Sequence, residues 1–183
     1  RVEAAFPYCE SLSGASRPVF GEGPADARLV FIGEAPGARE DETGRPFVGA
    51  AGEKLDQIIG AMGLDREQVF ITNILKARPR ENRTPTIDEI EACVPYLQEQ
   101  LRLIRPEVII TLGGPATKFI LQTSEGITRL RGRWGAWEDG DLRIPVMPTF
   151  HPAYLLRNYT TETRKQMWSD VQKVVELLGL AKK

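Results

Sequence analysis

The sequence predicts a three-layer α/β/α fold, in which helices cover both faces of a central, mostly parallel four-stranded sheet. Two observations predict it: short apolar runs at 28–32, 69–74 and 107–112, and segments with helical spacing of apolar residues between and after these runs. Strands that alternate with helices are typical of parallel sheets, because parallel neighbours need a crossover that is usually a helix. Ligands of such folds bind at the carboxyl ends of the strands.

Each element of the first half has its own signal. The run at 28–32 is a β-rich apolar strand that stops at Gly33, and apolar residues recur every three or four positions over 50–62, which predicts an amphipathic helix. The second strand, 69–74, includes the polar residue Asn73 near its end. This half of the chain therefore predicts a strand–helix–strand unit.

The second half continues the alternation. Thr86, with Glu89 three residues later, is typical of a capping box and predicts the start of a long helix. The third strand, 107–112, leads through two glycines to Pro115, which suits the first turn of a helix. Two short strands are predicted at 134–137 and 143–148 around a turn at Asp139-Gly140, and a helix at 163–178.

Composition restricts the class of protein. With 183 residues, 42% of them hydrophobic and 27% charged, the chain fits one domain over 1–183. No apolar run approaches the roughly 20 residues that span a bilayer, and the first residues lack a secretory pattern, so we expect a cytoplasmic protein that does not bind membranes. The formal net charge of −1 means that any surface for an acidic partner must be local.

Two local basic clusters are present, and the interpretation of both stays open. One lies in the loop 127–134 and the other in the segment 75–85, which includes the loop between Pro79 and Pro85. A cluster of cations is as easily a solvated face as a phosphate contact. The two cysteines, Cys9 and Cys93, form no Cys-x-x-Cys pair, and free buried thiols are the ordinary interpretation.

Polar or glycine-rich segments follow four predicted strand ends: 34–47, Asn73, 113–114 and His151, the only histidine. Any one glycine could simply meet a backbone requirement, but the combination predicts an active site. A nucleotide cofactor is disfavoured because neither a Walker motif nor Gly-x-Gly-x-x-Gly is present. A zinc site is disfavoured by the single histidine, and a serine hydrolase by the lack of a Gly-x-Ser-x-Gly elbow.

Five motifs, in this order along the chain, resemble those of a known family. They are Gly-Glu-Ala-Pro-Gly at 33–37, Glu-Asp-x-x-Gly-x-Pro-Phe-Val-Gly at 40–49, the strand with Asn73, Asn-Arg-x-Pro at 82–85, and His-Pro-Ala-x-Leu-Leu-Arg at 151–157. Together they resemble the uracil-DNA glycosylase superfamily, specifically its family 4. The resemblance covers nearly the whole chain and implies hydrolysis of the N-glycosidic bond of deoxyuridine in DNA.

The resemblance also implies roles for single residues at the base. Phe47 would stack on a uracil flipped out of the DNA, and the amide of Asn73 would pair with its Watson–Crick edge. His151 would donate to uracil O2, assisted by backbone N–H groups in the segment that contains Ala35 and Gly37. The catalytic pair would be His151 and one carboxylate that positions or activates water, for which Glu34 is our candidate and Asp41 the alternative.

The DNA contacts implied by the resemblance lie in three places. Leu155, Leu156 and Arg157 would form a wedge that enters the duplex, although the two leucines could instead belong to the core. Backbone phosphates would be met by the basic clusters. The DNA-binding residues we expect are Arg83, Arg129, Arg131, Leu155, Leu156 and Arg157.

The chain departs from the family at its cofactor. Members typically carry four cysteines that bind a four-iron four-sulfur cluster, and here Cys9 and Cys93 match the second and last positions, whereas Phe6 and Ala77 stand at the other two. Because two thiolates cannot complete the four-ligand set, we expect no cluster and no other cofactor or metal. The expected partner is uracil-containing DNA, single- or double-stranded, bound by a monomer. The competing hypothesis is a non-catalytic module that binds DNA or a nucleotide on the same scaffold.

Overall fold

A computed structural model describes residues 12–180 of the chain. Its centre is a five-stranded sheet with the order β2-β1-β3-β5-β4. Its strands are β1 (Leu29–Gly33), β2 (Phe70–Asn73), β3 (Val108–Leu112), β4 (Gly135–Asp139) and β5 (Leu142–Thr149). The three predicted long strands are confirmed to within one residue at each end.

The number of strands differs from our expectation of four. β1 pairs in parallel with β2 and β3, and β3 in parallel with β5, whereas β4 pairs antiparallel with β5. The two strands predicted around the turn at 139–140 therefore both belong to the same sheet. A short turn can join only antiparallel neighbours, so β4 pairs antiparallel with β5. Since β3 occupies the other side of β5, β4 lies at the edge, and the four remaining strands form the parallel part.

Seven α-helices accompany the sheet in the described part of the chain. Two short 3₁₀ turns, Arg66–Gln68 and Arg80–Asn82, lie in the connections. The α-helices are α1 (Ala38–Thr43), α2 (Ala50–Ala61), α3 (Ile87–Ile104), α4 (Gly114–Ile120), α5 (Ile127–Leu130), α6 (Pro152–Arg157) and α7 (Thr161–Leu177).

Local signals explain where α3 and α4 start. Thr86 caps α3 by accepting a hydrogen bond from the Glu89 backbone N–H, and the Glu89 carboxylate accepts one from the Thr86 N–H, as the capping box predicts. Pro115 lies in the first turn of α4, as expected. The short helix α6 was not predicted, because six residues are too few to show a helical period.

The alternation of side chains along the strands divides the core into two parts. In β1, Val30 and Ile32 pack with residues of α3 and α4, whereas Leu29 and Phe31 pack with residues of α2 and α7. Every residue of β1 and β3 is buried, as expected for parallel strands covered on both faces. No helix among residues 12–180 combines the length and the apolar character that a membrane crossing requires.

Candidate active site

The carboxyl ends of the parallel strands β1, β2 and β5 lie at one edge of the sheet. Gly33, the last residue of β1, is in register with Asn73, the last residue of β2. β5 ends at Thr149, and His151 follows two residues later as the N-cap of α6. The parallel topology thus brings residues separated by more than 100 positions in the sequence to the same edge of the sheet.

The side chain of Asn73 ends in an unused acceptor. Asn73 is 1% exposed, and its Oδ1 is buried without a hydrogen-bond donor among the described residues. A buried carbonyl oxygen without a partner costs about 1–3 kcal/mol, so such atoms in native structures call for an explanation. An amide held in this way is suited to accept a hydrogen bond from a ligand that enters the site.

Gly33 allows the two walls of the site to meet. A Cβ atom at this position would lie 2.4 Å from Asn73 Oδ1 and 2.6 Å from Cζ of Phe47. The ring of Phe47 and the amide of Asn73 therefore both reach the backbone of β1 at the same residue. A flat ligand that stacked on Phe47 would have its polar edge close to Asn73.

Replacing Gly33 with alanine should impair the site more than the fold. The new methyl group must displace the Asn73 amide or the Phe47 ring, which we expect to lower kcat/KM for uracil excision by about tenfold to 100-fold. Overpacking should cost about 1–3 kcal/mol of stability, measured by thermal unfolding. Gly60→Ala is the matched control, since nothing lies within 4 Å of its Cβ position. Equal activity of the two variants would contradict this account of Gly33.

Phe47 has an unusual backbone conformation that other residues stabilise. Its φ of +48° lies in the left-handed region, which disfavours residues with a side chain. Glu40 Oε1 accepts hydrogen bonds from the N–H groups of Val48 at 2.8 Å and Gly49 at 3.0 Å, and Arg66 Nη1 donates to the carbonyl oxygen of Phe47 at 3.0 Å. Our sequence analysis gave Glu40 and Arg66 no role. Only the position of Glu40 in the second motif pointed to it.

His151 presents one nitrogen to the site. Its Nδ1 accepts a hydrogen bond from the backbone N–H of Ala153 at 3.1 Å, so in the neutral ring the proton is on Nε2. Its ring centroid lies 5.7 Å from that of Phe47. Burial, and next the charge of Arg157, lower the pKa of His151 to about 4, and Glu40 opposes this only partly. At neutral pH His151 is therefore an uncharged hydrogen-bond donor.

Glu34 directly follows β1 and is half-buried. Its backbone oxygen accepts a hydrogen bond from the N–H of Leu75, which joins the loops after β1 and β2. Burial raises the pKa of the Glu34 carboxyl. A carboxylate whose pKa is raised is a stronger base than a solvated one. Such a group at the carboxyl edge of a sheet is therefore better suited to act as a general base near neutral pH.

The other residues predicted for the loop after β1 lie apart from one another. Asp41 is 5% exposed, and its Oδ1 accepts hydrogen bonds from the N–H groups of Ser16 at 2.8 Å and Arg17 at 3.3 Å. Its carboxylate thus holds the segment before β1 against α1. Ala35 is half-buried beside the core, and Gly37 is the N-cap of α1.

Three residues expected to touch DNA have their side chains engaged within the protein. Arg131 Nε donates to Oδ2 of buried Asp170 at 3.0 Å, and its guanidinium lies 5.3 Å from the ring of Phe150. Arg83 forms a bidentate ion pair with Glu89, which is fully buried. Leu155 is 3% exposed and packs in the core, which was the alternative interpretation of this leucine.

The other three expected DNA contacts lie on the surface. Leu156, with 45% of its side chain exposed, and Arg157 lie at the end of α6. Arg129 is exposed in α5. Of the predicted leucine wedge, the structure therefore presents Leu156 to solvent, next to a cation.

Lys76 belongs to the basic segment 75–85, which was expected to meet backbone phosphates, and the structure instead places it in the interior, 3% exposed. Its Nζ donates to Thr72 Oγ1 at 2.6 Å, to the carbonyl oxygen of Asn73 at 2.8 Å and to Gln100 Oε1 at 2.8 Å. Burial lowers the pKa of Lys76 to about 7. Lys76 thus ties the end of β2, which carries the Asn73 amide, to α3.

Of the four positions that the resemblance assigns to an iron–sulfur cluster, the structure describes two, Ala77 and Cys93, and these two do not fit one. Cys93 is buried and accepts a hydrogen bond from the Lys76 N–H at 3.3 Å, and Ala77 lies in the same apolar cluster as Cys93. Cys9 and Phe6 lie outside the described residues. The sequence contains two cysteines, whereas a four-iron four-sulfur cluster is held by four ligands, usually thiolates. Within residues 12–180, no group of three or more His, Cys, Asp or Glu side chains is arranged to hold a metal ion.

Comparison with known proteins agrees with this geometry. The family model described as the Uracil DNA glycosylase superfamily matches residues 20–172. A type-4 uracil-DNA glycosylase of Sulfurisphaera tokodaii is 45% identical over 174 residues, which are 92% of this chain and 78% of the relative. One of Thermotoga maritima is 46% identical over 156 residues, 85% of this chain and 80% of the relative. A type-5 uracil-DNA glycosylase of Pyrobaculum aerophilum is 30% identical over 165 residues, 80% of this chain and 70% of the relative.

The type-4 relatives are thus more similar to this chain than the type-5 enzyme, in agreement with the motifs read from the sequence. The matched region includes the end of β1, Asn73, and the loop with His151. The chain therefore belongs to the uracil-DNA glycosylase superfamily, and its similarity is to the type-4 branch.

Proposed function

We propose that this protein is a monofunctional uracil-DNA glycosylase of base-excision repair, which hydrolyses the N-glycosidic bond of deoxyuridine in DNA and leaves an abasic site. The observation that carries the proposal is the buried, unpartnered Oδ1 of Asn73, next to the ring of Phe47 and at the same edge of the sheet as His151. The similarity to type-4 uracil-DNA glycosylases over most of the chain supports it.

Base recognition rests on Asn73 and Phe47. A uracil flipped out of the DNA stacks on Phe47, its N3–H donates to Asn73 Oδ1, and its O4 accepts from the Asn73 Nδ2–H. Cytosine presents an unprotonated N3 and an exocyclic amine at the same positions, so the buried amide would face donor against donor and acceptor against acceptor. A site of this kind discriminates strongly, because the wrong base leaves buried polar groups unpaired.

His151 and Glu34 divide the chemistry. As the bond between C1′ and N1 breaks, its electron pair moves onto uracil, and the neutral Nε2–H of His151 donates a hydrogen bond to O2, where negative charge develops. Water adds to C1′ of the oxocarbenium-like sugar and transfers a proton to the Glu34 carboxylate. Burial, which raises the pKa of Glu34, makes it the better base near neutral pH.

The protein performs this reaction without an iron–sulfur cluster. Two cysteines cannot supply the ligand set, and the buried pair Ala77 and Cys93 is packed with apolar neighbours such as Leu97. No step of the mechanism needs a redox-active group, since hydrolysis of the bond involves only water and proton transfer. At Ala77 and Cys93, apolar packing accordingly stands where the resemblance would place cluster ligands.

Uracil-containing oligonucleotides test the proposed function. The purified protein is incubated with a single-stranded oligonucleotide and with duplexes that contain uracil opposite guanine or adenine, and abasic sites are then revealed by alkaline strand cleavage. We expect cleavage at uracil and none at cytosine or thymine in matched oligonucleotides. Tight binding of the same DNA without any abasic product would instead favour the non-catalytic module. His151→Ala serves as the control for a contaminating enzyme.

A further inference from the structure

A basic and aromatic patch lies beside α6, outside the site described above. Tyr159, two residues after Arg157, is 60% exposed. Lys54 Nζ of α2 lies 4.9 Å from the centre of the Tyr159 ring, and the guanidinium of Arg164 in α7 lies 5.2 Å from it. We call Lys54, Tyr159 and Arg164 the tyrosine clasp. It holds two cations from different helices at one exposed point.

The clasp belongs to a groove of about 470 Å³ between α2, α6 and α7. Ile58, Met167 and Trp168 form apolar parts of its lining, and Lys165 adds a third cation. None of the residues that line this groove is an aspartate or a glutamate. In a chain with a formal net charge of −1, such a local excess of positive charge favours an anionic partner.

The patch continues the surface that we assign to DNA. The first turn of α2 lies against Phe47, because a Cβ at Gly52 would meet the Phe47 carbonyl oxygen at 1.9 Å. Lys54 follows two residues later in the same helix, and Tyr159 follows the exposed pair Leu156 and Arg157. The clasp therefore lies at the end of α2 and α7 that faces the active site, next to the exposed leucine.

We propose that the tyrosine clasp is a second DNA contact, in which Lys54 and Arg164 bind backbone phosphates of the strand that carries the flipped uridine. This inference rests on the proposed function. His151 lies directly before α6 and Tyr159 two residues after it, so the two are at opposite ends of this short helix. The contacted phosphates would lie on the same strand as the uridine, on the side of the site towards Tyr159. The ring of Tyr159 lies within cation–π distance of both side chains and so keeps the two cations close together.

DNA fits these observations better than a protein segment does. Lys54 and Arg164 lie near the ends of α2 and α7 that face the active site. The apolar residues of the groove lie farther along the same two helices. Aromatic rings interleaved with cations on a surface continuous with a DNA-processing site are typical of nucleic-acid binding. An acidic peptide with an apolar anchor is the alternative occupant, and the experiment separates the two.

Binding is measured by fluorescence anisotropy with a duplex that contains 2′-fluoro-2′-deoxyuridine, whose glycosidic bond resists hydrolysis. Lys54→Ala and Arg164→Ala should each weaken binding about threefold to tenfold. Each should also reduce the slope of log Kd against log salt concentration by about 0.9, the value for one lost phosphate contact. Lys118→Ala is the matched control and should change neither quantity. Lys118 is exposed on α4, and α4 packs on the other face of the sheet.

The length of the DNA gives a second readout. In the wild type, shortening the duplex on one side of the uridine from eight nucleotides to two should weaken binding as much as the double variant Lys54→Ala/Arg164→Ala does. The double variant itself should not respond to this shortening. With uracil DNA as substrate, the double variant should raise KM and leave kcat at saturating DNA unchanged.

An unchanged salt slope in the double variant, or an equal response of wild type and double variant to shortening, would overturn the inference. Saturable binding of an acidic, phenylalanine-containing peptide that is lost in the double variant and is not displaced by DNA would do the same. Failure here is distinct from failure of the proposed function. If the protein binds DNA through the clasp but excises no uracil, the inference stands and the proposed function fails. If uracil is excised normally but the salt slopes of the variants are unchanged, only the inference about the clasp fails.

Discussion

Replacing His151 with alanine should lower the single-turnover rate of uracil excision by about two to three orders of magnitude. A preorganised donor aimed at a developing oxyanion contributes about 2.7–4 kcal/mol, and alanine removes the Nε2–H that would meet uracil O2. Rapid-quench measurement with excess protein over a uracil-containing duplex isolates the chemical step. The binding of the same DNA should change far less than the rate.

His151 has a second role that the experiment must separate from the first. Its Nδ1 caps α6, so alanine also removes an N-cap, at a cost of about 1 kcal/mol of stability. Asparagine is the matched control, because its side-chain oxygen can accept the same hydrogen bond from Ala153 while its amide is too short to replace Nε2. We expect His151→Asn to unfold at nearly the wild-type temperature and to be as slow as the alanine variant. A fast His151→Asn enzyme would refute the donor role.

The pH dependence follows from the environment of the histidine. Burial is the main reason that the pKa of His151 is lowered to about 4, so the ring is neutral above about pH 5 and gains a proton only below the folded pKa. The neutral ring already has its Nε2–H in place. Titration of His151 should therefore not affect the rate between pH 5 and 8. In this range, the rate should depend on pH in the same way in the wild type and in His151→Asn.

Glu34→Gln should lower the same single-turnover rate by about two to four orders of magnitude. Glutamine preserves the size of the side chain and removes only its ability to carry charge and accept a proton, which is the contribution of a general base. Since burial raises the pKa of Glu34, the carboxylate form is lost at a higher pH than for a solvated glutamate. The wild-type rate should rise with pH through this raised pKa, and the variant should lack that rise.

Asp41→Asn is the matched control for Glu34. Asp41 is also a carboxylate of the loop after β1, but its Oδ1 accepts hydrogen bonds from the backbone of Ser16 and Arg17. We expect Asp41→Asn to lower the unfolding temperature and to keep most of the excision rate. A full rate for Glu34→Gln, or a loss for Asp41→Asn as large as that for Glu34→Gln, would transfer the role of the base to another group.

Much of the fold and of the base site could be predicted from the sequence, because both depend on local patterns. Continuous apolar runs predicted β1, β2 and β3, and the Thr86–Glu89 pair predicted the start of α3. Glu34 directly follows β1, Asn73 is the last residue of β2, and His151 comes two residues after the end of β5. In a parallel sheet, residues that follow strands share one edge, so their proximity follows from topology alone.

The assignment of cations and leucines to surface or core could not be predicted in this way. Lys76 and Arg131 lie in basic segments of the sequence, yet the partners that hold their side chains within the protein, Gln100 and Asp170, are 24 and 39 residues away. Leu155 and Leu156 are adjacent and chemically identical, and only the direction of each on α6 places one in the core and one in solvent.

The sequence by itself thus determined the strand–helix alternation, the family, and which polar residues come at the ends of strands, since each is written in contiguous segments. The tertiary structure alone decided three further features: the left-handed conformation of Phe47, the burial of Lys76 behind Asn73, and the tyrosine clasp. The physical reason is the same for all three. Each depends on contacts between elements far apart in the chain, and no local pattern records which distant residue will satisfy a charge, a backbone strain or an exposed ring.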